Sequence, residues 1–544
     1  MRKLPGATLI DARRCEFRVW APNRSEVAVR IGSQRFPMTK NSTGYHETIL
    51  DAPAGSRYKF LLDGIERPDP ASRFQPDGVH GTSEVVDPDF EWHDASWKNI
   101  ALEDFVIYEL HVGTFTAQGT FDAVIPRLDA LKELGITAVE LMPVGQFPGD
   151  RNWGYDGTYV YAPQNSYGGP HALKRLVDAA HQRGLAMILD VVYNHLGPEG
   201  NYLRDFAPYF TARYKTAWGD ALNFDGPHSD DVREFFVQNA RMWVEEFHFD
   251  ALRVDAVHAI VDHSAQPFLG DLTTAVHAFA RKAYVIAESD LNDPRVITPK
   301  EQSGLGFDSQ WSDDFHHSLH ALLTGETSGY YASYGGVSDL ARAIRTGYLY
   351  TGQYSPYRRR RYGAEPQTSN GAQFVVSAQN HDQVGNRMNG DRLSTLIPRE
   401  KLKLAAAAII LSPFLPMLFM GEEYGETAPF QYFTSHSDPQ LIEAVRKGRR
   451  EEFEEFAWQG EAPDPHSVET FQRSKLTRND DGEMRAFYRE LLRLRRENPD
   501  LRSLDLSRVE TTADDERKLL TVRRGGVTLE FNFGERAGWR VLSR

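Results

Sequence analysis

Four short stretches of the sequence place acidic, basic and histidine side chains directly behind runs of apolar residues. They are residues 190–195 (Asp-Val-Val-Tyr-Asn-His), 253–255 (Arg-Val-Asp), 288–290 (Glu-Ser-Asp) and 379–383 (Gln-Asn-His-Asp-Gln). A single acid at such a place is explained as a helix cap or as an ion-pair partner. Four such places in one chain instead indicate side chains that act together.

Several carboxylates, an arginine and a pair of histidines, without a thiol or a phosphate-binding loop, suit the hydrolysis of a glycosidic bond. That reaction needs one carboxylic acid to protonate the leaving oxygen and a second carboxylate to act at the anomeric carbon. Metal-assisted hydrolysis is the competing interpretation, because Asp and His also bind metals. No His-Glu-x-x-His or similarly spaced pair occurs, although scattered oxygen ligands can still hold a hard cation. We predict no metal and no cofactor.

The elements that must position these residues follow a strand–helix rhythm from about residue 98. The apolar runs have the composition of strands buried on both faces, with helical periodicity between them. Eight such units over about 400 residues predict a TIM (β/α)8 barrel, whose strands bring their carboxyl ends to one face. A doubly wound sheet would need a Gly-rich first turn, which this sequence lacks. The predicted strands are 105–110, 138–142, 186–192, 251–254, 284–287, 307–311, 374–378 and 416–420.

The rest of the chain indicates a multidomain protein. Residues 1–97 contain short alternating segments between Pro, Gly and Asn turns, which is typical of an antiparallel β-sandwich. We assign residues 98–501 to the catalytic barrel, with an irregular insertion at about 196–230. Residues 502–544 are predicted to form a small C-terminal β domain.

The composition excludes several classes of protein. The chain has 544 residues, a formal charge of −14 and a single cysteine, Cys15, so we expect no disulfide framework and a reducing, cytoplasmic compartment. The uncharged stretch 404–420 contains two prolines and is too short to span a membrane, so it is predicted to be a buried helix, a turn and a buried strand. The acidic balance argues against a nucleic-acid partner, and the basic run 358–361 is predicted to be a solvated loop. Nothing in the composition specifies an oligomeric state.

In order and spacing, the four stretches resemble the conserved regions of glycoside hydrolase family 13, the α-amylase family. One position departs, because Asp250 stands before Ala251 where the family has Gly. The resemblance implies that Asp255 is the nucleophile and Glu288 the acid/base, and that Asp382 stabilises the transition state. It further implies that an aromatic platform, an arginine beside the nucleophile and two histidines bind or orient the reacting groups: Tyr155, Arg253, His195 and His381.

A β-sandwich ahead of the barrel, together with segments 68–81, 313–317, 323–327 and 379–386, resembles the members of this family that act on maltooligosyl trehalose. The resemblance implies retaining hydrolysis of the α-1,4 bond next to the terminal trehalose, releasing trehalose and a maltooligosaccharide. Residues 258–259 are His-Ala where many α-amylases have Lys-His. The resemblance therefore does not extend to their acceptor subsite or to its calcium ion.

Selection for a trehalose end has to reside on the acceptor side of the site, since trehalose differs from maltose only there. The candidates are side chains in loops predicted to overhang the barrel mouth: Trp218, Glu326, Tyr330 and Gln383. Two alternatives remain open. One is a debranching or branching enzyme of the same family that acts on related α-glucans. The remote one is a non-catalytic carbohydrate-binding protein, against which the presence of all three acids argues.

Overall fold

A parallel barrel of eight strands forms the centre of the molecule, which a computed structural model describes for residues 4–455, 462–478 and 481–543. The strands pair in chain order and the eighth closes on the first, so the predicted TIM barrel is confirmed. Each strand lies within two residues of its predicted bounds, because a continuous apolar run is a local signal. The barrel strands are Ile107–Leu110, Ala138–Leu141, Ala186–Val191, Ala251–Val254, Tyr284–Ala287, Ser309–Trp311, Phe374–Ser377 and Leu415–Phe419.

The interior of the barrel changes from apolar to charged along the strands. On the third strand the buried Ile188 is followed two residues later by the buried Asp190, and on the fourth the buried Ala251 is followed by the buried Arg253. Residues two apart on a strand point to the same side. Charged side chains therefore collect inside the barrel at its carboxyl end, above an apolar floor.

Helices surround the barrel and connect its strands. The stretch 404–420 contains the end of the helix Arg399–Ile410, a turn and the strand Leu415–Phe419, as predicted. Across the described part of the chain, no helix is both long and apolar enough to cross a membrane. The α-helices are Val112–Phe115, Phe121–Val124, Leu128–Leu134, Gly169–Gln182, Leu203–Phe206, Ser229–Glu245, Phe268–His277, Asp313–Thr324, Val337–Thr346, His381–Gly385, Leu393–Leu396, Arg399–Ile410, Pro439–Glu455, Val468–Arg473, Gly482–Glu497 and Pro499–Arg502.

Two antiparallel sheets precede the barrel and share an apolar core, which is the predicted sandwich. Phe17 of one sheet contacts Tyr58 of the other edge to face, with their ring centroids 4.9 Å apart. In spatial order, one sheet contains Gly6–Leu9, Arg14–Trp20, Tyr45–Asp51 and Thr39–Lys40. The other contains Gln34–Pro37, Val27–Ile31, Arg57–Leu62 and Ile65–Arg67, with Ser83–Glu84 paired to Arg57–Leu62.

The C-terminal region is a four-stranded antiparallel sheet whose strands pair in chain order. Its Arg524 side chain is buried and donates hydrogen bonds to the carbonyl oxygens of Leu411 (2.7 Å) and Ser412 (2.8 Å) ahead of the last barrel strand. The sheet is therefore joined to the barrel through buried polar contacts. Its strands are Val509–Asp514, Leu519–Arg524, Val527–Asn532 and Gly538–Ser543.

The insertion at 196–230 is more regular than expected. It contains the short helix Leu203–Phe206 and a hairpin of the strands Phe210–Thr216 and Gly219–Leu222. The register of the hairpin shifts between Thr211 and Lys215. Such a shift breaks the alternation of buried and exposed side chains by which a strand is recognised in sequence. Trp218 lies in the turn of this hairpin.

The departure at Asp250 has a structural explanation at the amino end of the fourth barrel strand. One oxygen of Asp250 accepts a hydrogen bond from Trp97 Nε1 (2.7 Å), and the other accepts from His181 Nε2 (2.8 Å) and from the Met187 amide (2.8 Å). His181 Nδ1 also donates to Asp94 (2.8 Å). Residues 94–97 lead from the sandwich into the barrel. Ionic hydrogen bonds therefore hold this segment against the amino end of the barrel.

We expect His181→Asn to destabilise the fold in a pH-dependent way. Burial alone would lower the pKa of His181, but Asp250 and Asp94 raise it above the usual value of about 6.5, against the opposing charge of Arg281. A raised folded pKa stabilises the protein fully below the unfolded pKa, and this stabilisation is lost as the pH rises through the folded pKa. The free energy of unfolding should therefore fall by about 3 kcal/mol at pH 6 and by less at pH 9.

Thermal unfolding of both proteins between pH 5.5 and 9 measures this difference. His248 (2.8 Å) and Arg281 (2.9 Å), which also pair with Asp94, keep this partner in the variant. His277→Asn is a suitable control, because His277 also pairs with one aspartate, Asp308 (2.8 Å), but is partly exposed. A gap between wild type and His181→Asn that does not change with pH would contradict the assignment.

Candidate active site

The guanidinium of Arg253 connects the carboxylates at the mouth of the barrel. Its Nη1 donates to Asp190 Oδ2 and to Asp255 Oδ1, each at 2.8 Å, and its Nη2 lies 3.7 Å from Glu288 Oε2. Arg253 is fully buried, and its guanidinium carbon lies 4.3 Å from the centre of the Trp311 ring. A buried cation needs such compensation by anions and by an aromatic face. Three of the acids singled out in the sequence therefore surround one positive charge.

Both oxygens of the Asp255 carboxylate are oriented by neighbours. Oδ1 accepts the bond from Arg253, and Oδ2 accepts one from Asn194 Nδ2 at 3.1 Å. The next residue, Ala256, has a φ of 40°, in the left-handed region. For a residue with a Cβ this conformation costs about 1–2 kcal/mol. It accompanies a hydrogen bond from the Ala256 amide to Glu288 Oε2 (2.6 Å), which ties the two acids together through the backbone.

Glu288 lies where a carboxylic acid retains its proton. Burial, foremost, and the negative charges of Asp255, Asp313 and Asp382 raise the pKa of Glu288 well above its usual value, while Arg253 opposes the shift. A carboxyl group that remains protonated at neutral pH can donate a proton to a leaving oxygen. Asp313, the first residue of the helix after the sixth strand, lies in segment 313–317, which carries the family resemblance, but no role was predicted for it.

The rings of Tyr155 and His381 stack on each other beside Arg253. Their rings are 5.2 Å apart at an angle of 23°. The Tyr155 hydroxyl lies 2.7 Å from His381 Nε2 and donates to Asp190 Oδ2 at 2.6 Å. Below them, the buried Glu109 of the first strand accepts from His381 Nδ1 (2.5 Å) and from the His381 amide (3.0 Å). A continuous path of hydrogen bonds thus runs from Glu109 to Asp255.

Asp382 is the most open of the three predicted catalytic acids. Its side chain is 43% exposed and lies 3.5 Å from His381 Nε2. The Asn380 side chain caps the short helix His381–Gly385 by accepting from the amides of Asp382 (2.9 Å) and Gln383 (3.3 Å). This cap directs Asp382 into the mouth of the barrel, where it is free to accept hydrogen bonds from a bound sugar.

His195 supports the site from the third strand and carries an aromatic side chain from the insertion. Its Nε2 donates to the carbonyl oxygen of Tyr155 (2.8 Å), and its Nδ1 lies 3.0 Å from Asn194 Oδ1. Both ring nitrogens therefore have partners within the protein. Trp218 stacks on the imidazole almost in parallel, with ring centroids 4.4 Å apart at 4°, and is 51% exposed. The structure thus brings Trp218 to the mouth of the barrel.

The other acceptor-side candidates differ in what they contact. Glu326 accepts hydrogen bonds from Arg387 (2.7 and 2.8 Å) and pairs with His320 (2.8 Å). Burial alone would raise the pKa of Glu326, but these partners lower it to about 2. Tyr330 stacks on His317, with centroids 4.6 Å apart. Gln383 Oε1 is buried and finds no hydrogen-bond partner in the parts of the chain that the structure describes.

A cavity of about 710 Å3 opens among the segments that follow the fourth and fifth barrel strands. Its lining includes Val257 and His258, which follow Asp255, and Ser289, which follows Glu288.

The basic run at 358–361 is not entirely solvated as predicted, because Arg358 donates to Asp290 Oδ2 (3.0 Å) on this side of the mouth. Among the described residues, no three His, Cys, Asp or Glu side chains are grouped so that they could hold a metal ion.

The sequence assigned no role to five residues of the site: Asp190, Asn194, Asp313, Glu109 and Trp311. Asn194 and Asp190 lie inside the first motif, so their position was visible but their partners were not. Glu109 and Trp311 carry no motif of their own. An acid in an apolar run, as in the first strand, is the signal that could have found Glu109, because an unpaired charge inside a barrel is costly.

Comparisons with known proteins agree with the barrel fold. The profile of the α-amylase catalytic domain matches residues 86–218. Malto-oligosyltrehalose trehalohydrolase of Saccharolobus solfataricus is 51% identical over 90% of this chain and 86% of its own length. The enzyme of the same name from Rhizobium sp. (strain M-11) is 45% identical over 96% of this chain and 91% of its own length. The crystal structure of a putative α-amylase from Salmonella typhimurium superposes with a TM-score of 0.91 at 39% identity, covering 97% of this chain and 93% of that one.

Proposed function

From the premise that the chain belongs to the malto-oligosyltrehalose trehalohydrolases of the α-amylase family, we propose how its residues act. The enzyme is a glycoside hydrolase that cleaves the α-1,4 bond next to the terminal trehalose of maltooligosyl trehalose. It releases trehalose and a shortened maltooligosaccharide. In the proposed assignment, Asp255 is the nucleophile, Glu288 the acid/base and Asp382 the third catalytic acid.

In the first step the Glu288 carboxyl gives its proton to the glycosidic oxygen. The bond from this oxygen to the anomeric carbon breaks, and trehalose leaves. An oxygen of Asp255 bonds to the same carbon from the opposite face, which gives a glycosyl ester. Arg253 and Asn194 support this attack, because each orients one oxygen of the Asp255 carboxylate (2.8 and 3.1 Å).

In the second step water hydrolyses the glycosyl ester. The Glu288 carboxylate takes a proton from the water as the water oxygen bonds to the anomeric carbon and Asp255 leaves. Two inversions give overall retention. A retaining pair needs carboxyl groups about 5–5.5 Å apart. The observation that supports such a pair is that one guanidinium contacts both acids, at 2.8 Å and 3.7 Å.

The reacting sugar is proposed to lie over Tyr155. Asp382, with its open carboxylate, would accept hydrogen bonds from hydroxyls of the distorted ring. His381 would act beside it by its charge, because its two nitrogens face Glu109 and the Tyr155 hydroxyl. His195 contributes mainly by holding the Tyr155 backbone in place (2.8 Å), because both of its nitrogens are occupied. Glu326 is proposed to position Arg387 rather than to contact sugar directly.

The trehalose leaving group is proposed to occupy the side of the mouth next to Glu288. The cavity lined by His258 and Ser289 lies on that side. Trp218 provides an exposed aromatic face on His195, and aromatic faces stack on sugar rings. Tyr330 and Gln383 are the remaining proposed contacts.

Parallel incubations with maltooligosyl trehalose, maltopentaose and amylopectin test the proposed activity. We expect free trehalose from the first substrate at a rate far above the release of any product from the other two. Linear chains released from amylopectin would instead favour the debranching alternative, and new branches in the glucan would favour the branching one. No turnover of any of the three would leave only the carbohydrate-binding alternative.

We expect Trp218→Ala to weaken selection for a trehalose end. Loss of the stacking face should lower the ratio of kcat/KM for maltooligosyl trehalose to kcat/KM for maltopentaose by roughly 5- to 10-fold. Phe36→Ala, in an outer strand of the sandwich, is the control for loss of an aromatic side chain elsewhere. An unchanged ratio in Trp218→Ala would remove this residue from the acceptor site.

A further inference from the structure

Glu109 and Glu140 lie side by side inside the barrel beneath the proposed sugar site. They occupy paired positions on the first and second strands, so their side chains enter the interior at the same level. Both are fully buried. Two neighbouring carboxylates cannot both be charged in such a place without strong compensation. Their hydrogen-bond partners decide which of the two carries the charge.

The donors all belong to Glu109. Its oxygens accept from His381 Nδ1 (2.5 Å) and from the His381 amide (3.0 Å). Neither oxygen of Glu140 has a hydrogen-bond partner among the residues that the structure describes. Burial, with the charge of Glu109 next, raises the pKa of Glu140 well above its usual value. Glu140 is therefore the neutral acid of the pair, and Glu109 is the anion against His381.

Both ring nitrogens of His381 face hydrogen-bond acceptors of other residues. Nδ1 faces Glu109, while Nε2 faces the Tyr155 hydroxyl (2.7 Å) and, at 3.5 Å, Asp382. The Tyr155 hydroxyl gives its own proton to Asp190 (2.6 Å), so it can only accept from His381. A ring that donates from both nitrogens is an imidazolium. Neutral imidazole would leave one of these short contacts without a proton.

We propose that Glu109 is a positioning residue that keeps His381 doubly protonated and thereby fixes the Tyr155 hydroxyl under the reacting sugar. The imidazolium places a positive charge next to Asp382 and keeps the platform tyrosine pointed at Asp190. Loss of the Glu109 charge would release the His381 proton at lower pH. This inference rests on the proposed site, but not on which glucan is the substrate.

The charges around His381 set the expected direction of a pH effect. Burial alone would lower the pKa of His381, but Asp382 and Glu109 raise it to about 9, against the opposing charge of Arg253. Activity that needs the imidazolium should therefore fall as the pH rises towards that value. The ionisable groups facing His381 from the packed elements are Glu109, Glu140, His111, Tyr155, Asp190, Arg253 and Asp382.

The first test uses the wild-type enzyme and no variant. Histidine-selective 15N labelling, with the His381 signal assigned by its loss in His381→Asn, should show both ring nitrogens protonated at pH 7.5. Neutral His381 at that pH would overturn the proposal. This NMR measurement needs no substrate. The proposed protonation of His381 can therefore prove wrong while trehalose release is intact, and trehalose release can be absent while His381 is doubly protonated.

The second test compares two matched variants. Glu109→Gln should lower kcat by about 10- to 100-fold with KM changed less than about threefold, and should shift the alkaline limb of the pH profile downwards by at least about one unit. Glu140→Gln replaces a neutral acid by a neutral amide and should leave that limb in place. An unmoved limb in Glu109→Gln, or an equal shift in both variants, would overturn the proposal.

Discussion

Glu288→Gln should lower kcat on maltooligosyl trehalose by about 10³-fold, because an amide cannot protonate the leaving oxygen. Substrate affinity should change little, since Gln has the shape of the protonated acid. The wild-type rate should fall as the pH rises through the elevated pKa of Glu288, whereas the residual rate of the variant should lack this fall and retain only the one that His381 sets near pH 9. Steady-state kinetics and calorimetric binding between pH 5 and 9 measure both expectations.

A substrate with a better leaving group separates the two roles of Glu288. Fluoride departs without a proton, so the variant should form the glycosyl ester from an α-maltooligosyl fluoride at a near-normal rate. Hydrolysis of the ester still needs the base. A burst of fluoride equal to the enzyme concentration, followed by slow turnover, is therefore expected. Glu301→Gln, on an exposed short helix, is the control. Retention of full activity on maltooligosyl trehalose in Glu288→Gln would refute the assignment.

Asp255→Ala should lose at least about 10⁴-fold of kcat, because no other group in the site can bond to the anomeric carbon. Arg253 keeps its bond to Asp190 (2.8 Å) in this variant, which preserves the rest of the site. The space left by the carboxylate opens on the face of the sugar opposite to the leaving group. A small anion can enter there and take over the attack.

Azide provides the decisive measurement on this variant. One azide nitrogen bonds to the anomeric carbon while the bond to the trehalose oxygen breaks and Glu288 gives its proton to that oxygen. Because only one inversion occurs, the product should be a β-maltooligosyl azide, identified by NMR. Sodium chloride at the same concentration is the control for ionic strength. An α-configured azide, or undiminished hydrolysis without azide, would show that Asp255 is not the nucleophile.

These two acids differ in function because their surroundings differ. Asp255 accepts hydrogen bonds from a guanidinium and a side-chain amide, while the Glu288 side chain, 14% exposed, lies among the negative charges of Asp255, Asp313 and Asp382. The Arg253 charge is shared among Asp190, Asp255 and Glu288, so it cannot fully compensate all of them. Neighbouring carboxyls whose surroundings differ in this way are the pattern expected of a nucleophile and an acid/base.

Local signals in the sequence predict the architecture and identify the acids that are proposed to be catalytic. Continuous apolar runs identify the eight barrel strands, because a strand buried on both faces needs apolar side chains at nearly every position. Four to six residues are enough to show this, as in Ala251–Val254 and Ala186–Val191. The acids follow these runs directly, so the barrel rule places Asp255, Glu288 and Asp382 at one rim. Both signals are local, and a local signal can be read without knowing any contact.

The partners of these side chains, from which the charge states are proposed, are visible in the tertiary structure alone. Glu109 and His381 are 272 residues apart in the chain, and nothing near either residue specifies the other. The same holds for Trp218 on His195 and for Asp250 beneath the barrel, where a departure from the family motif proved to be an anchor for Trp97 and His181. Whether a buried carboxyl is an anion or an acid depends on the donors that folding brings to it. That information is contained in the packing of distant segments and not in the residue types alone.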